Sequence, residues 1–368
     1  MKRICCFCER WESGGIESFL NNVLSRLDMQ QVEVDIVAAD LQESIFTKGL
    51  REKGISFYEL SGRQQDLVKN WKMFRELLAA RHYDVVHINA FQGLSLYYAR
   101  LAKQAGVPVR IAHSHNTALR QSRTRWLKMI LHNLGRKHFS SDATDWWACS
   151  TEAARFLFSK SVVEAEQYRF IPNGIETQRF CFDSETRKRI RTELGVGNSL
   201  LIGNVGRLCY QKNQEFLLDV FRQVLDEEPS AHLLLVGSGD QEEMLRQRAK
   251  SFGILDRVIF YGVTDQIQTL FWAMDVFAFP SRFEGLGIVA VEAQASGLPV
   301  VCSEQVPMQA NVTDLFQSVG LDQGATVWAQ RLRNMVRPVC REGYAKAVAD
   351  AGFHVDAVSR GIQKEYLR

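Results

Sequence analysis

The sequence predicts an α/β protein built from two doubly wound, Rossmann-like domains that face each other across a cleft. Three observations carry that expectation. Short apolar runs alternate with amphipathic segments along the whole chain, the pattern of parallel sheets covered on both faces. The alternation breaks once, after Pro172-Asn173-Gly174, and restarts at Leu200-Leu201-Ile202. The length, 368 residues, exceeds what one ordinary core holds.

In the first half the apolar runs 3–8, 32–38, 56–60, 84–89, 109–114, 146–150 and 169–172 read as strands, and 15–27, 67–80 and 94–105 as helices between them. In the second half the strands are 200–205, 232–236, 258–261, 276–280 and 300–302, with 315–321 a sixth; 214–227 and 241–252 are helical. The domains are expected at 1–172 and 199–344, joined by the polar tract 173–198. A last helix, about 345–368, has no strand after it and is free to cross back to the first domain.

Composition narrows the function. With 46% hydrophobic and 24% charged residues the chain is globular, and a net charge of +3 argues against a dedicated nucleic-acid binder. No eighteen-residue apolar window exists, and Glu9, Arg10 and Glu12 cut the first apolar run too short for a secretory signal. Cys5, Cys6, Cys8, Cys149 and Cys302 lie in strand-like runs; Cys5 and Cys8 have C-x-x-C spacing, but inside an apolar run, and no Cys/His pair has zinc spacing, so a reduced, cytoplasmic protein without a metal site is expected.

The segments that carry chemistry all leave the carboxyl ends of expected strands, where doubly wound sheets bind ligands. After the strand 276–280 comes Ser281-Arg282-Phe283-Glu284-Gly285-Leu286-Gly287, then a helix containing Glu292. Gly285 and Gly287 leave backbone amides accessible at a helix start, which attracts phosphate or sugar oxygens. Glu284 and Glu292 supply carboxylates for hydroxyls, Glu292 about two turns into the helix. After 200–205 comes Gly206-Arg207-Leu208-Cys209-Tyr210-Gln211-Lys212-Asn213, where Arg207 and Lys212 can converge on one diphosphate. Gly14-Gly15 follows the first strand and opens a helix; the alternative is a plain tight turn. His115, two residues after His113 at the end of the fifth strand, suits a sugar hydroxyl contact or acid–base work near neutral pH.

One further stretch stands out. From Thr117 to Ser141 the chain carries Arg120, Arg123, Arg125, Lys128, Arg136 and Lys137 without an acid, interleaved with Trp126, Leu127, Met129, Ile130, Leu131 and Leu134. Such a helix either lies on an anionic membrane surface or packs its apolar face inward and leaves its charges in water. A glycosidase is disfavoured: eight residues of one helix separate two carboxylates by about 12 Å, against about 5–9.5 Å for hydrolase pairs. No D-x-D occurs to hold a metal on a diphosphate.

Taken together, Glu284 and Glu292 in an E-x7-E pattern, Val205-Gly206-Arg207-Leu208 with Gln211-Lys212-Asn213, Pro172-Asn173-Gly174-Ile175, Gly14-Gly15 and Ser296-Gly297-Leu298-Pro299-Val300-Val301 resemble the retaining glycosyltransferases of family 4, which have the GT-B fold. The segment 110–117 is similar to the branch found in capsule and exopolysaccharide biosynthesis. The resemblance implies that Arg207 and Lys212 hold the donor diphosphate and that Glu292 binds the ribose. Glu284 and the amides of Gly285, Leu286 and Gly287 would hold the donor sugar. Gly14, Gly15 and Gly206 would approach the donor, and His115 would contact the sugar. It implies a UDP- or GDP-linked sugar donor, no metal or other cofactor, and a polyprenyl-diphosphate-linked saccharide as acceptor. Arg120, Arg123, Arg125 and Lys128 would face that acceptor at the inner membrane surface. Configuration would be retained, the departing phosphate oxygen taking the acceptor's proton. The alternatives are a nucleotide-sugar 2-epimerase of the same fold type and a non-catalytic sugar-nucleotide-binding subunit.

Overall fold

The structure, a computed structural model, describes residues 1–12, 14–119, 124–336 and 340–368. The chain divides into two compact units: Met1–Ile175 together with Gly352–Arg368, and Glu176–Ala351.

The first unit contains a seven-stranded sheet of β1 (Lys2–Trp11), β2 (Val32–Leu41), β3 (Ser56–Glu59), β4 (Val85–Ala90), β5 (Val109–Ser114), β6 (Asp145–Ala148) and β7 (Tyr168–Phe170). Their order is β3-β2-β1-β4-β5-β6-β7, and every pairing is parallel. All six residues of β4 are buried, as expected of a central strand covered on both faces. The helix Gly15–Leu24 buries Ile16, Phe19, Leu20, Val23 and Leu24, one apolar face at helical spacing. The order reverses between β1 and β4, so the switch point lies where β1 delivers Gly14-Gly15 and β4 delivers Asn89.

The end of the chain belongs to this unit. The helix Val355–Leu367 packs on the helix Gly15–Leu24 and on β1, and the first unit's core includes Val358, Ile362 and Tyr366. Ion pairs Arg26–Asp356 (2.8 Å) and Arg368–Asp145 (2.9 Å) lie along it. The expected unbroken helix from 345 is not found. A short helix, Tyr344–Val348, ends before Gly352, whose φ of 92° no α-helix accommodates. His354 Nδ1 then caps the last helix by accepting from Asp356 N–H at 3.2 Å.

The second unit contains a six-stranded parallel sheet of β8 (Leu201–Val205), β9 (His232–Val236), β10 (Val258–Gly262), β11 (Val276–Phe279), β12 (Val300–Ser303) and β13 (Phe316–Val319). Their order is β10-β9-β8-β11-β12-β13, and the reversal falls between β8 and β11. The core packs Leu217, Phe221, Leu233, Val276 and Trp328. The tract 176–198, expected as part of the linker 173–198, is structured within this unit. Its helix Ser184–Glu193 is capped by Asp183, and Arg187 pairs with Asp275 at 2.6 Å. Among the described residues no helix is long and apolar enough to cross a membrane.

Candidate active site

The switch point of the second sheet gathers most of the expected site. β8 ends at Val205 and releases Gly206 and Arg207; β11 ends at Phe279 and releases the loop to Gly287. The two loops are stitched together. Arg282 N–H donates to the Gln211 carbonyl at 2.8 Å, and Gln211 Nε2 donates to the Phe283 carbonyl at 3.0 Å. Asn213, in the left-handed region at φ 57°, donates Nδ2 to the Pro280 carbonyl at 3.1 Å. Below them Gln214 Nε2 reaches the Arg207 carbonyl and Asn204 Oδ1.

Across this frame the Lys212 ammonium donates to Glu284 Oε1 at 2.7 Å. It also sits 4.8 Å from the centre of the Phe279 ring. Glu284 is only 6% exposed, so the pair is largely desolvated and its field is strong. Arg207 lies on the same loop but is exposed, and among the described residues no ion pair holds its guanidinium. One cation is thus locked to a carboxylate while a second is available to an incoming anion.

Gly287, at φ 82°, opens the helix Ile288–Ala295, and its conformation is one only glycine adopts at little cost. Leu286 is buried, so only its backbone can serve a ligand. Glu292 stands one turn into this helix rather than two, because the helix starts at Ile288. Burial raises its carboxyl from the ordinary value to about 7, an effect partly offset by Arg179. Arg179, which the sequence reading missed, is anchored through Gln268 Oε1 at 3.0 Å and the Asp265 carbonyl. It belongs to the short turn Thr177–Phe180, inside a tract that carries no motif.

In the first unit, Gly14 caps the helix Gly15–Leu24 and Gly15 is exposed. The turn is less bare than expected: the buried Glu17 carboxylate accepts from the backbone at Glu12, Gly14 and Glu17. Glu17 was not singled out from sequence, since a glutamate in a first helical turn is ordinary. His115 is buried beside Phe19 of that helix, ring centres 5.2 Å apart. Asn89 donates Nδ2 to the Phe7 carbonyl, so its Oδ1 accepts from His115 Nε2–H at 2.9 Å. Burial pushes the His115 imidazole down to about 3. It is therefore neutral near pH 7, and the expected acid–base option is corrected to a hydrogen-bonding one. His113 lies behind it, bonded to His87, which bonds to the Tyr366 hydroxyl at 2.6 Å.

Of the basic residues expected to face an acceptor, Arg120 and Arg123 lie outside the described residues. Arg125 and Lys128 stand on the helix Arg125–Phe139, Lys128 exposed and Arg125 half-buried.

Two family models match the chain, one described as Glycosyltransferase Family 4 over residues 13–179 and one as Glycosyl transferases group 1 over residues 186–326. The chain belongs to glycosyltransferase family 4. Relatives align over nearly its full length. A protein of Bacillus subtilis assigned as the glycosyltransferase EpsF is 29% identical over 364 residues, covering 96% of this chain and 93% of that one. The GDP-mannose-dependent alpha-(1-6)-phosphatidylinositol monomannoside mannosyltransferase of Mycobacterium tuberculosis is 28% identical over 377 residues, covering 96% and 94%. Among solved structures, Anabaena HepE in complex with UDP-glucose superposes with a TM-score of 0.76 at 20% identity, covering 99% of each chain. That likeness identifies the architecture as GT-B, with two Rossmann-like units. The family 4 chain is thus a glycosyltransferase.

Proposed function

We propose that this glycosyltransferase takes a hexosyl group from a UDP- or GDP-linked donor and passes it, with retention, to a hydroxyl of a lipid-linked saccharide in surface-polysaccharide synthesis. The desolvated Lys212–Glu284 pair at the switch point, with Arg207 exposed beside it, is the observation that carries the reading. A diphosphate arriving there meets Arg207, the Lys212 ammonium and the amides of Gly285, Leu286 and Gly287. The bond from the anomeric carbon to the diphosphate oxygen breaks. A bond from the acceptor oxygen forms on the same face, and the acceptor's proton passes to the departing oxygen. Arg207, Lys212 and the helix amides stabilise the negative charge that develops on that oxygen. Arg207 and Lys212 supply the positive charge a metal would otherwise bring to the diphosphate, so transfer proceeds without one. Glu292 accepts from the ribose hydroxyls, Glu284 from those of the sugar, and neutral His115, whose Nε2–H is held by Asn89, accepts at Nδ1.

The relatives support the substrate classes. HepE was solved with UDP-glucose, and the mycobacterial enzyme is named for GDP-mannose and a phosphatidylinositol-linked mannoside. A polyprenyl diphosphate is the carrier we assign to the acceptor here. Incubation with a panel of UDP- and GDP-sugars, with and without polyprenyl-diphosphate-linked saccharide, tests the reading. Nucleotide diphosphate release that rises with acceptor supports it. Epimerised donor, or binding without turnover, supports the epimerase or the non-catalytic subunit instead.

A further inference from the structure

We propose that Asn89 is a specificity-determining positioning residue. By locking His115 in one tautomer it obliges the donor sugar to present a hydroxyl proton to the imidazole. A sugar with a deoxy carbon or a carboxylate at that point is shut out. The proposal rests on the reading of His115 as a contact of the donor sugar, and goes beyond it in naming the residue that sets the direction of that bond. Asn89 is fully buried near the end of β4, opposite His113 of β5. His115 follows just past the end of β5.

The lock works from the backbone outward. Asn89 Nδ2 donates to the Phe7 carbonyl at 3.2 Å. Turning the amide over would set Oδ1 against that carbonyl, two acceptors with no proton between them. Oδ1 therefore faces His115, and His115 Nε2, 2.9 Å away, must carry the proton. A neutral imidazole holds one ring proton, so Nδ1 is left with a lone pair. The orientation of one buried amide thus decides whether the histidine gives or takes a hydrogen bond at its other nitrogen.

The neighbours do not compete for that choice. The Phe19 ring lies 5.2 Å and the His113 ring 3.9 Å from the His115 ring, centre to centre. His113 bonds to His87 at 3.1 Å, and His87 to the Tyr366 hydroxyl at 2.6 Å, so their bonds run away from His115. Among the described residues Asn89 is the one hydrogen-bond partner of the His115 ring, and no carboxylate is there to draw a second proton onto it. Burial, which pushes the imidazole down to about 3, has the same effect. A sugar hydroxyl donates to Nδ1 and regains what it lost in leaving water. A carboxylate or a deoxy carbon has no proton to give, and the buried lone pair stays unmet. Sites built around a hydrogen bond reject analogues that lack it far more strongly than sites built on apolar fit.

The test uses the full chain without acceptor. In the parent, nitrogen NMR of isotopically labelled histidine should place the His115 proton on Nε2, the signal being assigned by its loss in His115→Ala. Calorimetry with UDP-glucose, GDP-mannose and their monodeoxyfluoro analogues reads the consequence, because fluorine replaces a hydroxyl and has no proton to donate. One analogue should bind the parent about tenfold more weakly than its hydroxyl counterpart, and that loss should vanish in His115→Ala. In Asn89→Ala, where either tautomer is open to His115, the loss should shrink, while UDP and GDP alone bind as they do to the parent. An undiminished loss in Asn89→Ala with the parent's circular dichroism overturns the proposal. If Asn89→Ala does not fold, the parent's NMR signal and the comparison with His115→Ala decide. A proton on Nδ1 with nucleotide-sugar binding intact sinks this proposal alone. Failure of every nucleotide sugar to bind sinks the transfer reading and this proposal with it.

Discussion

The Lys212–Glu284 pair, 2.7 Å long between residues 72 apart in the chain, governs what substitution does at this switch point. Lys212→Ala, which deprives a largely buried Glu284 of the Lys212 cation, should cost about 2–3 kcal/mol, below the full penalty of a wholly buried pair. That a cation and a carboxylate leave two strand ends here was legible in the sequence; that they pair was not. Lys212→Ala/Glu284→Gln should recover most of the thermal midpoint but none of the activity. Recovered activity would deny Lys212 its diphosphate. Arg207→Ala, at an exposed position, should leave stability unchanged and lower kcat/KM by about 10²–10³. Glu292 makes a pH prediction. Its carboxyl titrates at about 7 because burial disfavours the charged form. It thus stabilises the fold below the unfolded carboxylate range, and that contribution is lost as pH rises through 7. Glu292→Gln should therefore raise the thermal midpoint at pH 8 more than at pH 5. Nucleotide affinity of the parent should climb between pH 6 and 8 as the ribose acceptor ionises, and the variant should be flat in calorimetry. The His115 shift was invisible in sequence, because burial at a strand end is a property of the neighbours, here Phe19 and Asn89.

Elements were easier to read than residues. Every expected strand exists, because a parallel strand buried on both faces is written as a short apolar run such as Val276–Phe279. Ends and breaks were harder. The helix carrying Glu292 starts later than periodicity placed it, since Gly287 takes the left-handed conformation of an N-cap. The last helix was read straight through Gly352, where a single glycine does not reveal its φ. Gly287→Ala tests the first of these. A Cβ there meets Phe279 and Val306 at 3.1 Å, and the left-handed backbone costs about 1–2 kcal/mol. The variant should melt lower and bind UDP or GDP more weakly, because the helix amides shift. Unchanged binding would remove those amides from the donor site. The direction of the helix Arg125–Phe139 was likewise beyond sequence. Periodicity shows that an apolar face exists, but only the close approach of Gly135 to Gly93 and the bond from Gly93 N–H to His132 Nδ1 decide which way it points.

At the scale of the molecule, two doubly wound units were legible from the alternation and its break. The return of the chain's last helix to the first unit could be raised as an option only, because its partners, the helix Gly15–Leu24 and β1, lie more than three hundred residues away in sequence. The chemistry assigned to the molecule makes two demands. Transfer should persist in EDTA if, as proposed, Arg207, Lys212 and helix amides face the diphosphate; activity abolished by chelation and restored by Mg²⁺ or Mn²⁺ would refute the metal-free assignment. Retention is the central claim, and proton NMR of the anomeric signal reads it directly. Hydrolysis or transfer from an α-linked donor, UDP-glucose or GDP-mannose, should give the α-configured product first, before mutarotation. A β-configured product appearing first would contradict the account.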